Sequence, residues 1–237
     1  MAIDSTCCRI IILLSTTVKI DGSIHQINEW FLVNGLTLNL DKTNIVKFSS
    51  KKSKEHIHFR YSNIKQTHSL KFLGLELDKF LNWKNHIDKL LPRLSSACFA
   101  IRSMFSYCDI TAIKMTYFAY FHSLLEYGIA FWGNFTENVK VFKQQKRAIK
   151  LMTGSIVRTS CRPLFPVLGI MTLPFQYIFS LMRFLSRILE FYTFNSTVHN
   201  YNTRNRILLH KPPSLLTMYQ KGLCYESVGV FNNYHTI

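Results

Sequence analysis

The change of hydrophobic periodicity near Asn82 constrains the fold more than any other feature of this sequence. Before that point, short stretches rich in β-branched and aromatic residues are typical of strands. They cover residues 43–48, 56–61 and 70–77. After it, apolar residues recur at the helical spacing of about 3.6 residues. The first such stripe contains Trp83, Ile87, Leu90, Leu91, Leu94, Cys98, Ile101 and Met104. The sequence therefore predicts an α+β chain: one helix and a partial antiparallel sheet over residues 1–80, then a mostly helical region.

Capping residues mark the expected helix ends. Gly35 follows an apolar-periodic segment and is expected to end the first helix, because glycine adopts a positive φ without a steric penalty. Short polar side chains are the preferred N-caps. The predicted N-caps of the three later helices are Asn82, Asp109 and Thr136. Pro92 is expected to kink or break the helix that begins after Asn82, because proline lacks an amide hydrogen.

The composition indicates a folded, strongly basic chain. Of its 237 residues, 48% are hydrophobic and 14% aromatic, which is enough to build a core. Lys and Arg number 29 against 13 Asp and Glu, so the formal net charge is +16. Such a charge favours nucleic acid or an anionic membrane surface as a partner, whereas the alternative is that it only keeps the chain soluble.

The spacing of the cysteines and the length of the apolar run near the start of the sequence predict where in the cell the chain is located. The six cysteines are scattered and form no C-x-x-C pair, so neither thiolate metal binding nor a disulfide framework is expected. The apolar run at residues 10–14 is too short to span a membrane. We therefore expect an intracellular protein, nuclear or cytoplasmic, with no metal site and no membrane partner.

Two groups of basic residues are candidates for phosphate contacts. The helix predicted after Thr136 has an expected core face of Val139, Phe142, Gln145, Ile149 and Met152. Its opposite face carries Lys140, Lys143, Lys146, Arg147 and Lys150. Between positions 140 and 150 there are five cations and no anion, which favours contact with a phosphate backbone, although a solvated face is the usual meaning of a charge run. Lys84, Lys89 and Arg93 lie off the apolar stripe of the preceding helix and form the second group.

Several segments, in this order, resemble one protein family. They read W-F-L-V-N-G-L-T-L-N-L-D-K-T (30–43), S-L-K-F-L-G-L-E-L-D (69–78), L-N-W-K-N-H-I-D-K-L-L (81–91), F-H-S-L-L-E-Y-G-I-A-F-W-G (121–133) and C-R-P-L-F-P-V-L-G-I (161–170). Together they resemble the C-terminal palm and thumb of reverse transcriptases, RNA-directed DNA polymerases, from non-LTR retrotransposons of the jockey-like LINE type. The resemblance implies a partial palm at residues 1–80, a helical thumb at 81–156, and a helical and irregular extension at 157–237.

The resemblance also implies roles for individual residues. Asp4 matches the second aspartate of the catalytic pair, and Lys42 matches the motif D lysine near the incoming nucleotide. Phe72, Leu73 and Gly74 match the primer grip. The intact family enzyme uses Mg²⁺, but Ile3 stands where the first aspartate belongs, and a hydrocarbon side chain cannot ligate a metal ion. In the family, the fingers and the other aspartate-bearing strand would lie before residue 1.

From these matches we expect Asp4 to be a vestigial match, with no cofactor in this chain and no polymerase activity in this chain alone. Without metal ions to bind a nucleotide, Lys42 is better interpreted as a solvated loop lysine. The alternative interpretation of Gly74 is a turn glycine in a core hairpin. His122 and Glu126, four residues apart on a predicted helix, are interpreted as a helix-face contact rather than a metal or catalytic pair.

Two functions from different classes follow. The leading hypothesis is a fragment of a reverse transcriptase that contacts the backbone of RNA and DNA, including RNA–DNA hybrids. The alternative is a non-enzymatic scaffold, adopted by the host, that docks a partner through the very apolar helix predicted at residues 174–192, with the basic face serving only solubility.

Overall fold

The computed structural model describes residues 18–39, 43–46, 48, 65–199, 201, 203–211, 213–215 and 217–235. The chain divides into two units, residues 1–86 and residues 87–237, which are described separately here. The expected boundary between thumb and C-terminal extension, at residues 156 and 157, lies inside the second unit.

The first unit contains a helix and two pairs of short strands. Its elements are α1 (Val18–Val33), β1 (Asn44–Ile45), β2 (Lys65–Gln66), β3 (Ser69–Phe72) and β4 (Leu75–Asp78). Strands β3 and β4 form an antiparallel hairpin in which Ser69 pairs with Asp78. Strands β1 and β2 pair in parallel, which the sequence did not predict. The expected mixture of helix and strand is confirmed, whereas the strand expected at 56–61 lies outside the described residues.

Glycine ends the first helix as the sequence predicts. Gly35 has a φ of 69°, and the amide of Leu36 donates to the carbonyl of Phe31 at 2.8 Å. This bond across six residues is the Schellman arrangement, which satisfies a carbonyl that the helix leaves without a partner. Phe31 and Ile24 on α1 are buried.

The loop after β4 is organised by a buried carboxylate. Asp78 is 6% exposed and accepts hydrogen bonds from the amides of Phe80 at 2.8 Å and Asn82 at 3.2 Å. Asn82 in turn accepts a bond from the amide of Lys84 at 3.0 Å, where the next helix begins. The predicted cap at Asn82 therefore satisfies one of the free amides at that helix start.

The second unit is mainly helical. Its elements are α2 (Lys84–Met104, which starts at the end of the first unit), α3 (Ile110–Thr116), a π-helical turn (Tyr117–His122), α4 (Ser123–Glu126), α5 (Ile129–Trp132), α6 (Asn138–Thr153), α7 (Leu164–Leu168), α8 (Leu173–Arg187), a 3₁₀ turn (Leu189–Phe191), α9 (Asn195–Val198), α10 (Thr217–Gln220) and α11 (Leu223–His235).

Helix α2 follows its predicted apolar stripe through the proline. Ile87, Leu94 and Ile101 are each 0% exposed. Pro92 lies inside the helix, which continues to Met104, so the break considered at the sequence level does not occur. The proline is on an exposed position, where water can hydrate the carbonyl that its missing amide leaves unpaired.

The helical segment from Ile110 to Glu126 contains one π-helical turn, and the spacing of its apolar residues explains this turn. Asp109 caps it as predicted, and its carboxylate accepts a bond from the amide of Ala112 at 3.2 Å. The buried residues on this run lie four apart: Ile113, Tyr117, Phe121 and Leu125. In a regular α-helix each step of four residues rotates a side chain by about 40° away from the previous one. The π-helical turn reduces that drift and keeps the four side chains buried.

Two predicted features of the later helices are wrong. Helix α6 begins at Asn138, and Glu137 rather than Thr136 precedes it, without a side-chain capping bond. Val139 is 54% exposed and does not belong to the core face. The predicted burial of Gln145, Ile149 and Met152 is confirmed, and Val141 and Ala148 are buried beside them.

The apolar helix predicted at residues 174–192 is shorter than predicted and buries one face. Helix α8 ends at Arg187, and it buries one face that includes Leu181 and Leu185. Leu185 belongs to a core cluster with Leu209 and with Val228 of α11. The opposite face exposes Phe175 and Phe179 to 62% and 51%.

A buried glutamine joins three segments of the second unit. Gln145 of α6 is 0% exposed, and its amide nitrogen donates to the hydroxyl of Tyr117 at 3.1 Å and to the carbonyl of Met171 at 3.0 Å. Its amide oxygen accepts a bond from the amide of Leu173 at 2.8 Å, at the start of α8. Both the nitrogen and the oxygen of the Gln145 amide group have hydrogen-bond partners, so burial of this polar side chain carries little free-energy penalty.

The Gln145 bonds give a direct test of this link. Replacing Gln145 by Leu should lower the free energy of unfolding by about 2–4 kcal/mol, because a buried amide, a carbonyl and a hydroxyl lose their partner together. Urea unfolding followed by circular dichroism measures the change. The matched control is Gln144→Leu on the same helix, which removes only a weak acceptor for the Cys98 thiol at 4.0 Å and should cost less than about 1 kcal/mol. Equal losses in the two variants would contradict a special role for Gln145.

Candidate nucleic-acid interface

Helix α6 separates a buried face from a basic one. Val141, Gln145, Ala148, Ile149 and Met152 are buried, and they recur at spacings of three and four residues. Between them the helix exposes Lys140, Lys143, Lys146 and Arg147, with Lys150 half-buried. The predicted basic residues therefore lie on one face of one helix, as their spacing of three and four residues implies. We call them the basic stripe.

The amino-terminal end of the stripe is neutralised. The Lys140 ammonium lies 2.6 Å from a carboxylate oxygen of Glu137. The hydrogen bond and the negative charge of Glu137 raise the pKa of Lys140, and Asp88 adds to this effect from α2. The sequence predicted five available cations between positions 140 and 150. Lys140 is not available, because it pairs with Glu137, which lies one turn before that range.

The remaining cations share one face of the helix, from Lys143 to Lys150. Lys143 and Arg147 are exposed, lie one turn apart, and form no salt bridge with another described residue. Lys146 lies with its ammonium 4.2 Å from the centre of the Phe142 ring, a cation–π contact that keeps its charge. Lys150 donates to the carbonyl of Val157, which fixes its position without neutralising it. We call Lys143, Lys146, Arg147 and Lys150 the α6 cationic surface.

The other predicted basic residues lie on α2. Lys84, Lys89 and Arg93 are all exposed on α2. Lys89 and Arg93 lie four residues apart in the second unit and share a helix face, whereas Lys84 belongs to the first unit.

The residues that match the primer grip form the tip of the β3–β4 hairpin. Leu73 and Gly74 have φ values of 45° and 85°, so both central positions of the turn are left-handed, as in a type I′ turn. Leucine is unusual at such a position because its Cβ crowds the following carbonyl oxygen. Leu73 is nevertheless 74% exposed, and Phe72 is 36% exposed. Asp4 and Lys42 lie outside the described residues.

His122 belongs to a polar cluster that the sequence showed only in part. Its Nε2 atom lies 3.8 Å from Glu126, the helix-face contact expected from the sequence, and 3.1 Å from the side-chain nitrogen of Gln176. Arg183 lies 3.7 Å from the same Glu126. Gln176 and Arg183 come from α8, more than fifty residues later, so no local spacing could have identified them.

Burial favours the neutral form of the His122 ring. An amide nitrogen only donates, so Nε2 must accept with its lone pair. Burial lowers the pKa of His122, and the Glu126 carboxylate raises it by a smaller amount. Nδ1 of His122 and the Gln176 side-chain oxygen are both buried and have no hydrogen-bond partner in the described part of the chain.

The described ranges contain no group of three or more His, Cys, Asp or Glu side chains arranged to hold a metal ion. Within these ranges, no helix combines the length and the apolar content that crossing a membrane requires. Cys98, Cys108, Cys161 and Cys224 are free thiols. Burial raises the pKa of the Cys98 thiol to about 11, so it stays protonated. In comparisons with known proteins, no family model, no curated protein and no solved structure matches this chain.

The neutral His122 ring predicts a pH-dependent stability. Because its pKa in the folded protein lies below the ordinary value of 6.5, the unfolded chain takes up the proton first as the pH falls. The matched variant is His122→Gln, because glutamine can accept the same bond from Gln176. The free energy of unfolding of the wild type, relative to that of the variant, should be constant above pH 7 and should fall below about pH 6.5. Urea unfolding across this pH range measures it. A difference that moves in favour of the wild type on acidification would show instead that Glu126 holds the ring protonated.

Proposed function

We propose that this chain binds the sugar–phosphate backbone of nucleic acid through the α6 cationic surface. The observation that carries the proposal is that four cations share one face of α6 after Lys140, and that the salt bridge of this helix engages Lys140 with Glu137 at its start. Exposed cations that lack an anionic partner are free to replace the counterions of a polyanion. The net charge of +16 supports the same class of partner.

Binding of this type has a defined thermodynamic signature. Phosphate contacts fix the position of a protein on nucleic acid and carry little sequence information. Four such contacts correspond to a slope of about −3 to −4 in a plot of the logarithm of the binding constant against the logarithm of salt concentration. The proposal therefore includes strong salt dependence and little preference for base sequence.

The resemblance described above supports RNA–DNA hybrid as the preferred duplex, because the thumb of a reverse transcriptase packs against the duplex that leaves the palm. On the same grounds we propose that the chain is a part of a non-LTR retrotransposon reverse transcriptase that does not polymerise by itself. The basis for inactivity is Ile3, which occupies the place of a metal-binding aspartate in the matched motif.

A second candidate is a non-enzymatic scaffold that docks a partner through α8. One face of α8 already packs within the second unit, so the remaining support for this candidate is the exposure of Phe175 and Phe179 on its other face. Large exposed apolar side chains can mark an interaction surface when they are contiguous. In this case the cationic surface would serve solubility only.

Charge removal on α6 separates these two functions. The double variant Lys143→Gln, Arg147→Gln should weaken binding to a blunt RNA–DNA hybrid and reduce the salt slope by about two, because each phosphate contact contributes roughly one unit. Fluorescence anisotropy at several salt concentrations measures both quantities. The matched control is Lys140→Gln, which removes a cation already paired with Glu137 and should change the slope by less than about one. Binding that does not respond to salt would contradict phosphate contact.

The absence of polymerase activity is tested by primer extension. With Mg²⁺, a primed template and all nucleotides, the purified chain should incorporate no label above background, because Ile3 cannot ligate a metal ion. A known reverse transcriptase under the same conditions is the positive control. Incorporation that depends on Asp4, shown by its loss in Asp4→Asn, would contradict this prediction.

A further inference from the structure

A cavity of about 790 Å³ lies in the second unit, beside the α6 cationic surface. One wall is α6, which contributes Phe142, Lys146 and Lys150. The opposite wall is formed by α7, the loops around it and the first turns of α8, with the lining residues Thr159, Ser160, Cys161, Arg162, Phe165, Pro166, Ile170, Met171, Thr172 and Phe175. A volume of this size is within the range of small-molecule sites in proteins.

The cavity is lined by both aromatic and cationic side chains. Phe142 of α6 and Phe165 of the opposite wall lie with their ring centres 6.4 Å apart and give the cavity an apolar part. The ring of Phe175 is 62% exposed and offers an open aromatic face at the cavity. Three cations line the cavity, namely Lys146, Lys150 and Arg162, and none of the described residues that line it is acidic. The site therefore suits a ligand that has a flat apolar ring system and a negative charge.

The walls of the cavity are held in place by buried bonds. Gln145 fixes the Met171–Leu173 segment against α6 through both ends of its amide group. The Cys161 thiol donates to the carbonyl of Lys146 at 3.6 Å and joins the opposite wall to α6. Gly169, with a φ of 65°, ends α7 and turns the chain so that Ile170 and Met171 face the cavity. A site whose walls are fixed in this way needs little rearrangement to bind a ligand.

We infer that this cavity receives one unpaired nucleotide at the end of a nucleic-acid strand. The inference rests on the proposed function, because Lys146 and Lys150 belong both to the α6 cationic surface and to the cavity lining. A strand whose phosphates follow the surface passes the cavity opening at these two residues. The base of its unpaired end stacks on Phe175, and Arg162 contacts the adjacent phosphate. Thr159 and Thr172 also line the cavity, and a hydroxyl group can donate to or accept from a base edge.

The cationic rim favours a nucleotide over a purely apolar guest. An acyl chain or an apolar peptide side chain would use the phenylalanines but would leave three cations without an anionic partner. Aromatic stacking accepts any base, since every base has a π-face, so the cavity adds affinity for a strand end without reading sequence.

The test compares duplexes that differ only at their ends. The probes are a blunt RNA–DNA hybrid, the same hybrid with a short single-stranded extension, the same extension with abasic sugars, and the single strand alone. Wild-type protein should bind the extended hybrid about tenfold more tightly than the blunt or abasic one, the usual effect of stacking one base. Phe175→Ala should remove this preference and leave the affinity for the blunt hybrid unchanged.

Two further variants separate stacking from a general loss of structure. Phe179→Ala is the matched control, because Phe179 is one turn further along α8, is 51% exposed and does not line the cavity. It should keep the full preference for the extension. Phe175→Trp retains an aromatic face and should restore the preference that Phe175→Ala loses.

The possible results distinguish the inference from the proposed function. Blunt and extended hybrids bound equally well by the wild type would overturn the inference and leave the proposed function standing. Binding of the single strand that depends on Phe175, without binding of the blunt hybrid, would support the cavity assignment and contradict duplex binding. Binding to phosphatidylserine vesicles that depends on Phe175, with no effect of the extension, would overturn the inference in favour of an anionic lipid.

Discussion

The hydrogen bonds of Gln145 are the constraint on which the second unit depends. One buried amide group joins α6 to the π-helical turn through Tyr117 and to the start of α8 through Met171 and Leu173. Burial of a polar side chain is tolerable only when its partners are matched, so the positions of these segments relative to α6 are fixed within narrow limits. The same bonds place the loop before α8 as a wall of the cavity.

The basic stripe and the buried face of α6 have different physical origins, although they lie on one helix. Apolar burial determines which residues turn inward, whereas the available charge depends on carboxylates contributed from elsewhere. Glu137 forms a salt bridge with Lys140 at the beginning of the stripe, and Asp88 adds a weaker electrostatic attraction. Lys146 and Lys150 are held by an aromatic ring and a carbonyl, partners that orient a cation but do not cancel its charge. The cations that lack an anionic partner are thus displaced toward the carboxyl-terminal end of the helix.

Much of the secondary structure could be predicted, because it follows from short-range rules. The end of α1 at Gly35, the cap at Asp109 and the α2 stripe all depend on residues within about two turns of one another. Where the prediction failed, a more distant partner decided the outcome. Val139 was expected in the core, but the neighbours of α6 cover Val141 and Ala148 instead. The helix predicted at 174–192 ends at Arg187, and α11 packs against one of its faces.

The sequence by itself determined the mixture of helix and strand, the excess of positive charge and the placement of the basic residues on one helix. Composition and a hydrophobic period of 3.6 residues do not depend on tertiary contacts. Only the tertiary structure decided which of those cations remain available and what lies beside them. The Glu126–Arg183 contact and the cavity between α6 and α7 bring together residues far apart in the sequence. Such contacts arise from the packing of whole helices, and no local spacing encodes them.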